Sequence, residues 1–317
     1  MPFETVTLAR RAMNTRFEVL LHGTNAVALR AAGEAALDEI EHLEDQLSLY
    51  RPGSEIHRVN RHAHRQPVRV SPTVFRLLEQ ARDLSRLAQG AFDPTVAPLL
   101  DCWGFLDGAG HPPDPEALAE ALQAVGMQRV ELDPSTGTVR FPRPGMMLDL
   151  GAIGKGHALD RALDSLREAG VESAFLHGGT SSVAALGCPP DAPAWRVAIP
   201  RPHPPQASAP PAASDILHVV ELKDAALGVS AWWTKHFVHQ GRTCGHVVDP
   251  RTGEPVAATL LAAVVLPSAA EADALSTALL VLGQPGIPCL GRARPEAHLL
   301  TLDPAEGSVP CLSHPPA

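Results

Sequence analysis

The chain has 317 residues, 45% of them hydrophobic, and 26 basic against 35 acidic side chains leave a formal net charge of −9. That much apolar material supports a sizeable core and excludes disorder of the chain as a whole. No uninterrupted apolar run reaches the roughly 20 residues of a membrane-spanning helix, and an acidic chain with 4% aromatics lacks the counterion release and stacking platforms of a general nucleic-acid binder.

In chain order, residues 17–21 read as a short strand. Over 25–47, Leu29, Ala36, Ile40, Leu43 and Leu47 recur at helical spacing. Ser71-Pro72 pairs an N-cap with a first-turn proline and opens a helix to Gly90. Asp114-Pro115 repeats that signal, with Gly126 as its stop. Strands are expected at 139–141 and 146–150, then a glycine-rich turn, a helix ending at Gly170 and a strand at 172–177. The pattern then turns mostly β, at 195–199, 217–222, 243–248 and 260–266. Ser268 with Glu271 forms a capping box for a helix that stops at Gly283, and a last strand covers 298–302. These pieces predict an α+β fold, with helices covering mixed or antiparallel sheet. They read as one domain over 1–303, with a Pro/Ala-rich surface loop at 200–214 and a frayed tail at 304–317.

Cys102, Cys188, Cys244, Cys289 and Cys311 lie far apart, without a Cys-x-x-Cys, and read as scattered reduced thiols. The first residues carry no basic segment followed by an apolar stretch and cleavage site, which predicts a cytoplasmic chain with no lipid anchor.

Four stretches could carry chemistry. In Asp149-Leu-Gly-Ala-Ile-Gly-Lys-Gly-His-Ala-Leu-Asp160 a strand ends in an acid and a glycine turn enters a helix with a lysine in its first turn. Exposed amides and the helix dipole suit such a turn to phosphate, although a tight strand–helix connection explains it equally well. In Glu271-Ala-Asp-Ala-Leu-Ser-Thr277, Asp273 and Thr277 share a helix face. They offer either a sparse oxygen site of the kind Mg²⁺ uses or a solvent-facing acid beside a threonine bonded to its own helix. Cys244-Gly-His-Val-Val-Asp-Pro-Arg-Thr-Gly253 places His246 on a strand leading into a turn. His57, His62 and His64 read as an exposed loop rather than a metal site. Finally, Tyr50 is the only tyrosine. Its ring could stack on a ligand, or it could be an aromatic at the edge of the core.

Together, and in this order, the pieces resemble the ApbE family of FAD:protein FMN transferases. Met13-Asn-Thr15 resembles an opening Met-Gly-Thr element, and Ser48-Leu-Tyr50 with Ser54 and Asn60 resembles a Ser-x-Tyr…Ser…Asn segment. Gly90-Ala-Phe-Asp-Pro-Thr-Val-Ala-Pro98 through Trp103-Gly-Phe105 is similar to a further block, as are 149–160, 246–253 and 272–277. The resemblance implies an α+β fold related to the tunnelling fold, with a cleft for FAD. It implies transfer of FMN from FAD to a Thr or Ser hydroxyl of a target protein, forming a phosphoester and releasing AMP. Such targets carry a motif near Asp-x-x-Ser/Thr-Gly-Ala-Thr.

Carried over by position, the flavin-binding residues would be Met13, Tyr50, Ala91, Phe92, Asp93, Asp149, Lys155 and Val247. Mg²⁺ would be held by Asp273, Thr277 and the carbonyl of Ala152, and His246 would be the base for the acceptor hydroxyl. Three segments depart from the family pattern: Gly178-Gly-Thr-Ser-Ser182, Gly228-Val-Ser-Ala-Trp-Trp-Thr-Lys235 with its Trp232-Trp233 pair, and Cys244-Gly245. Two alternatives to the transferase stand beside it, a Mg²⁺-dependent FAD pyrophosphatase and a flavin-binding module without turnover, and a homodimer is left open.

Overall fold

The computed structural model describes residues 3–108, 110–202, 216–232 and 236–303. In chain order they form β1 (Glu4–Ala12), β2 (Thr15–Gly23), α1 (Ala26–Leu47), α2 (Glu55–His62), β3 (Val68–Arg69), α3 (Pro72–Leu87), α4 (Ala97–Cys102) and α5 (Pro115–Gln123). Then come β4 (Glu131–Asp133), β5 (Thr138–Arg140), α6 (Gly154–Glu168), β6 (Ser173–Gly178), β7 (Ser182–Leu186), β8 (Trp195–Pro200), β9 (Ile216–Leu222) and β10 (Ala226–Ala231). The described chain closes with β11 (His236–His239), β12 (Arg242–Gly245), β13 (Leu261–Leu266), α7 (Ala269–Leu282), α8 (Ile287–Ala293) and β14 (His298–Leu302).

The main sheet has seven strands in the order β1-β2-β6-β7-β10-β13-β14, and every neighbouring pair is antiparallel. It separates two apolar cores. Alternation decides which residue joins which: on β7, Ala184 and Leu186 face the larger core with α1, α6 and α7, whereas Val183 and Ala185 face a second core with Trp195, Ile199 and Leu222 of the β8–β9 hairpin. All five residues of β7 are therefore buried. A third cluster joins Leu99 and Trp103 to Val248, with Phe237 and Cys244 of the β11–β12 hairpin packed against it.

The caps expected from sequence at α3 and α5 form as read, Ser71 accepting from Val74 N–H and Asp114 from Glu116 N–H. The structure adds one at the head of α1, where Asn25 accepts from Val27 and Ala28 N–H. The four described cysteines are free thiols. No helix among the described residues is long and apolar enough to cross a membrane. Most of the 200–214 segment, the 304–317 tail and Cys311 lie outside the described residues.

Three expectations are corrected. Residues 146–150 are not a strand, because the Asn60 side chain takes both backbone groups of Leu148, accepting from its N–H at 2.8 Å and donating to its carbonyl at 2.9 Å. The 243–248 strand stops at Gly245, and Val248 instead bridges Pro255 across the following turn. His57 and His62 belong to α2, with Ser54 as its N-cap, rather than to a loop.

Candidate active site

The innermost part of the site depends on how closely α7 approaches its neighbours. Its first turns are rich in alanine and serine, so backbone can meet backbone. A Cβ on Gly156 of α6 would lie 2.1 Å from the Ala269 carbonyl oxygen, and one on Gly228 of β10 would lie 2.2 Å from that of Ala272. Only glycine fits at either contact. The N-terminus of α7 is tied down twice. Ser268 Oγ accepts from Glu271 N–H at 3.3 Å, while Asp160 of α6 accepts from Ser268 Oγ at 2.8 Å, Ala269 N–H at 2.7 Å and Ala270 N–H at 3.0 Å. Burial pushes the Asp160 carboxyl pKa up, against those hydrogen bonds. The Glu271 carboxylate pairs with Arg294 at 2.6 Å.

Seated this way, Asp273 is buried rather than facing solvent, with 3% of its surface exposed. Its Oδ2 accepts from Gly156 N–H at 3.1 Å and its Oδ1 from Ser182 Oγ at 3.1 Å. Lys155 Nζ lies 3.8 Å from Oδ2. Thr277 Oγ1 bonds Ser230 Oγ at 3.0 Å and reaches its own helix at the Asp273 carbonyl, at 3.4 Å. Ser230 also meets Ser276 Oγ at 2.8 Å. Ser182, Ser230 and Ser276 were not singled out from the sequence; two of them stand in the segments that depart from the family pattern, on β7 and β10.

Lys155 joins this cluster to an open cleft of about 140 Å³, lined by Met13, Ser48, Tyr50, Asp149, Gly151 and Lys155 among others. Met13 and Asn14 connect β1 to β2 with φ of 49° and 58°, the two left-handed residues of a type I′ hairpin turn. The Ser48 hydroxyl accepts from Tyr50 N–H at 3.2 Å and Arg51 N–H at 3.1 Å. Ser54 caps α2 through His57 N–H at 2.9 Å and donates to the Ser48 carbonyl. These bonds hold the turn while 57% of Tyr50 stays exposed, so it is a cleft residue rather than a core aromatic. Partial burial, then the charge of Asp149, raise the pKa of its hydroxyl, which therefore remains a donor at neutral pH.

Asp149 organises the glycine turn. Its Oδ1 accepts from Gly151 N–H at 2.7 Å and its own N–H donates to the Pro94 carbonyl at 2.7 Å. Lys155 Nζ donates to the Gly151 carbonyl at 3.1 Å. Ala152 sits in the same turn, partly buried.

The Gly90–Thr95 region contributes mainly through its backbone. Ala91 and Phe92 are 1% and 2% exposed. The Asp93 carboxylate is taken up by Thr95 N–H and Oγ1 at 2.8 and 2.5 Å and by Met127 N–H at 2.8 Å. It braces the loop whose Pro94 carbonyl holds Asp149.

His246 follows β12. Its Nδ1 is 3.4 Å from the Trp232 carbonyl, a partner that can only accept, so the neutral ring carries its lone pair on Nε2. Trp232 directly follows β10, the strand that carries Ser230. Val247 accepts from Val256 N–H at 2.9 Å, and Trp103 Nε1 donates to the Gly253 carbonyl at 2.7 Å, fixing the 249–253 turn. Trp233 and Lys235 lie outside the described residues.

Among the described residues no group of three or more His, Cys, Asp or Glu side chains could hold a metal. The donors around Asp273 are of another kind: one buried carboxylate, hydroxyls and backbone carbonyls. That all-oxygen set suits a hard cation completed by ligand phosphates.

The family model described as ApbE family matches residues 13–299. A Vibrio cholerae protein named FAD:protein FMN transferase is 30% identical over 289 residues, covering 89% of this chain and 83% of that protein. Among solved structures, the ApbE protein of Thermotoga maritima superposes with a TM-score of 0.86 at 28% identity, covering 98% and 97% of the two chains. The flavin transferase ApbE of Vibrio cholerae does so with 0.81 at 26% identity, covering 98% of each.

Proposed function

This chain belongs to the ApbE family, and from that premise we propose that it transfers FMN from FAD to a Thr or Ser hydroxyl of a target protein, with Mg²⁺, releasing AMP. The observation that carries the reading is Lys155. It lines the cleft beside Tyr50 and Asp149 and also stands 3.8 Å from the buried Asp273, so in this reading one cation would stand between the flavin and the phosphates of a bound FAD.

In this reading Met13 and Tyr50 flank the isoalloxazine ring, and the Tyr50 hydroxyl donates to it. Ala91 and Phe92 present backbone, since their side chains are buried. Asp93 keeps that loop in shape, Asp149 sets the glycine turn, and Val247, next to His246 in the chain, would meet the ligand from outside the cleft that Tyr50 lines. The acceptor hydroxyl attacks the FMN phosphorus, a new P–O bond forms, the pyrophosphate P–O bond breaks, and AMP leaves. Positioning and charge neutralisation do most of the work in such a transfer. Lys155 and the turn amides stabilise the phosphate oxygens. His246 Nε2 takes the hydroxyl proton. Asp273, Thr277 and the Ala152 carbonyl would hold Mg²⁺, which supplies Lewis-acid polarisation of a phosphate oxygen.

The test is incubation with FAD, Mg²⁺ and a peptide carrying Asp-x-x-Ser-Gly-Ala-Thr, following the peptide by mass spectrometry and AMP by chromatography. FMN on the peptide with matching AMP is the expected outcome. AMP with free FMN from both this peptide and a folded flavoprotein acceptor would replace the reading with a pyrophosphatase. FAD bound without AMP release would replace it with a binding module.

A further inference from the structure

We propose that a basic groove across α2 from the flavin cleft receives an acidic segment of the acceptor protein, a role that rests on the transferase reading above. The groove, about 840 Å³ in volume, runs between α2, β3, the head of α3 and the β4–β5 turn; Arg58, His62, Arg69 and Arg76 line it, and no carboxylate does among the described residues. The three arginines are exposed on a chain of net charge −9. The neighbouring acids are already engaged. Glu55 accepts from Ser71 N–H at 2.6 Å and lies 3.9 Å from Arg58. Asp133 accepts from Ser135 N–H at 2.9 Å, Ser135 Oγ at 2.6 Å and Thr136 Oγ1 at 2.8 Å. Arg58 is aimed by a 2.7 Å bond from its Nη2 to the Arg69 carbonyl.

Charge and position both point to the acceptor. At physiological salt, charges act over roughly 8–10 Å, so a partner at the groove feels its arginines while the acidic body is largely screened. One helix links groove and cleft. α2 starts at the Ser54 cap of the Tyr50 turn, lines the groove with Arg58 and His62, and through Asn60 holds Leu148 beside Asp149. Its eight residues span about 12 Å, within reach of a protein presenting a hydroxyl to the cleft. A second copy of this chain is a poorer complement, because the acidic face of α1 is already paired, Asp38 and Glu41 with Arg10 and Glu44 and Asp45 with Arg51.

The probe is a fluorescein-labelled hexaglutamate peptide, titrated against the full chain at physiological salt and read by anisotropy. Arg69→Glu with Arg76→Glu should weaken its binding at least about tenfold, and circular dichroism checks that the variant is folded. Arg69→Gln with Arg76→Gln, a milder pair, should weaken it several-fold. Unchanged binding by both variants would overturn the proposal. So would displacement of the peptide by inorganic phosphate at matching concentration, which would make this a small-anion site. Self-association of the wild type that the variant loses would also overturn it, in favour of a second copy. With an acceptor protein, KM should rise about tenfold at unchanged kcat, and an unchanged KM would refute the docking role. Should the wild type transfer no flavin to any acceptor, the transferase reading fails instead, and the peptide titration still decides whether the groove binds acidic chain.

Discussion

Two glycines in one helix make opposite predictions. A Cβ at Gly154 would meet nothing within 4 Å, whereas at Gly156 it would lie 2.1 Å from the Ala269 carbonyl oxygen and 2.8 Å from the Ala270 Cα. Ordinary contact begins near 3.4 Å, so Gly156→Ala must push α7 back by about 1.3 Å at a site already close-packed. Alanine gains up to about 1 kcal/mol of helix propensity at either position. At Gly156 that gain is outweighed by about 1–3 kcal/mol of overpacking and by weakening of the Gly156 N–H bond to the Asp273 carboxylate, worth about 1.5–3 kcal/mol. Urea unfolding should therefore show Gly156→Ala less stable by about 2–4 kcal/mol and Gly154→Ala unchanged or slightly more stable. The displacement also carries Asp273 away from Lys155 and Ser182, and a misplacement of about 1 Å can cost on the order of 100-fold in rate. AMP release from FAD should fall accordingly in Gly156→Ala and persist in Gly154→Ala. A Gly156→Ala protein as stable and as active as the wild type would refute the claim that close backbone contact positions Asp273.

Other outcomes follow from the same contacts. Asp273→Ala should reduce Mg²⁺-dependent AMP release to background, and unchanged release would remove this carboxylate from the site. His246→Ala should suppress flavin transfer while FAD affinity, read by fluorescence quenching, stays within a few-fold; full transfer would sink its role as base. Asn60→Ala orphans both backbone groups of the fully buried Leu148 and should cost about 2–5 kcal/mol in urea unfolding; a loss below about 1 kcal/mol would contradict the clamp. His157 on α6 is pulled down to a pKa of about 4, by burial first and by Arg161 and Arg76 next, and its buried Nε2 has no hydrogen-bond partner among the described residues. The unfolded chain then takes up this proton below about pH 6.5, while the folded chain does so only near 4, so stability drains away as pH falls between them. Between pH 7.5 and 5 the loss from this group is about 2 kcal/mol, and His157→Gln should lack that share; identical pH profiles would refute it.

Legibility in the sequence followed the type of signal. Helix α1 announced itself through periodicity and α3, α5 and α7 through caps; Ser71, Asp114 and Ser268 accept the expected N–H bonds, while the Glu271 carboxylate goes to Arg294 instead of closing the capping box. Strand β7 did not, because both of its faces are buried and apolar–polar alternation is absent. The segment at 146–150 misled because its apolar residues look like a strand, while its backbone is satisfied by the side chain of Asn60, 88 positions away. Asp273 and Lys155 were nameable from their motifs, but the serines around them were not. Ser182 and Ser230 reach the site only through the register that sets Gly228 opposite Ser182, and sequence spacing holds no trace of that pairing.

Many of the motif residues serve those that would face the ligand. Ser48 and Ser54 shape the turn under Tyr50, Asn60 and Asp93 brace the two strands of chain that meet at Asp149, and Asp160 fixes the helix that bears Asp273. Asp160 illustrates the balance. Its burial opposes ionisation, and three donors from α7 favour it. An asparagine there keeps the size and one acceptor oxygen but loses the charge that complements the helix N-terminus, worth about 0.3–1 kcal/mol and more when buried. A helper residue of this kind should reveal itself by lowering stability and metal affinity together, whereas a ligand-facing residue such as Lys155 should lower turnover at nearly constant stability. Calorimetry of Mg²⁺ and FAD binding alongside urea unfolding separates the two patterns. If Asp160→Asn left stability untouched and abolished only turnover, the division between scaffold and ligand-facing residues drawn from these hydrogen bonds would be wrong.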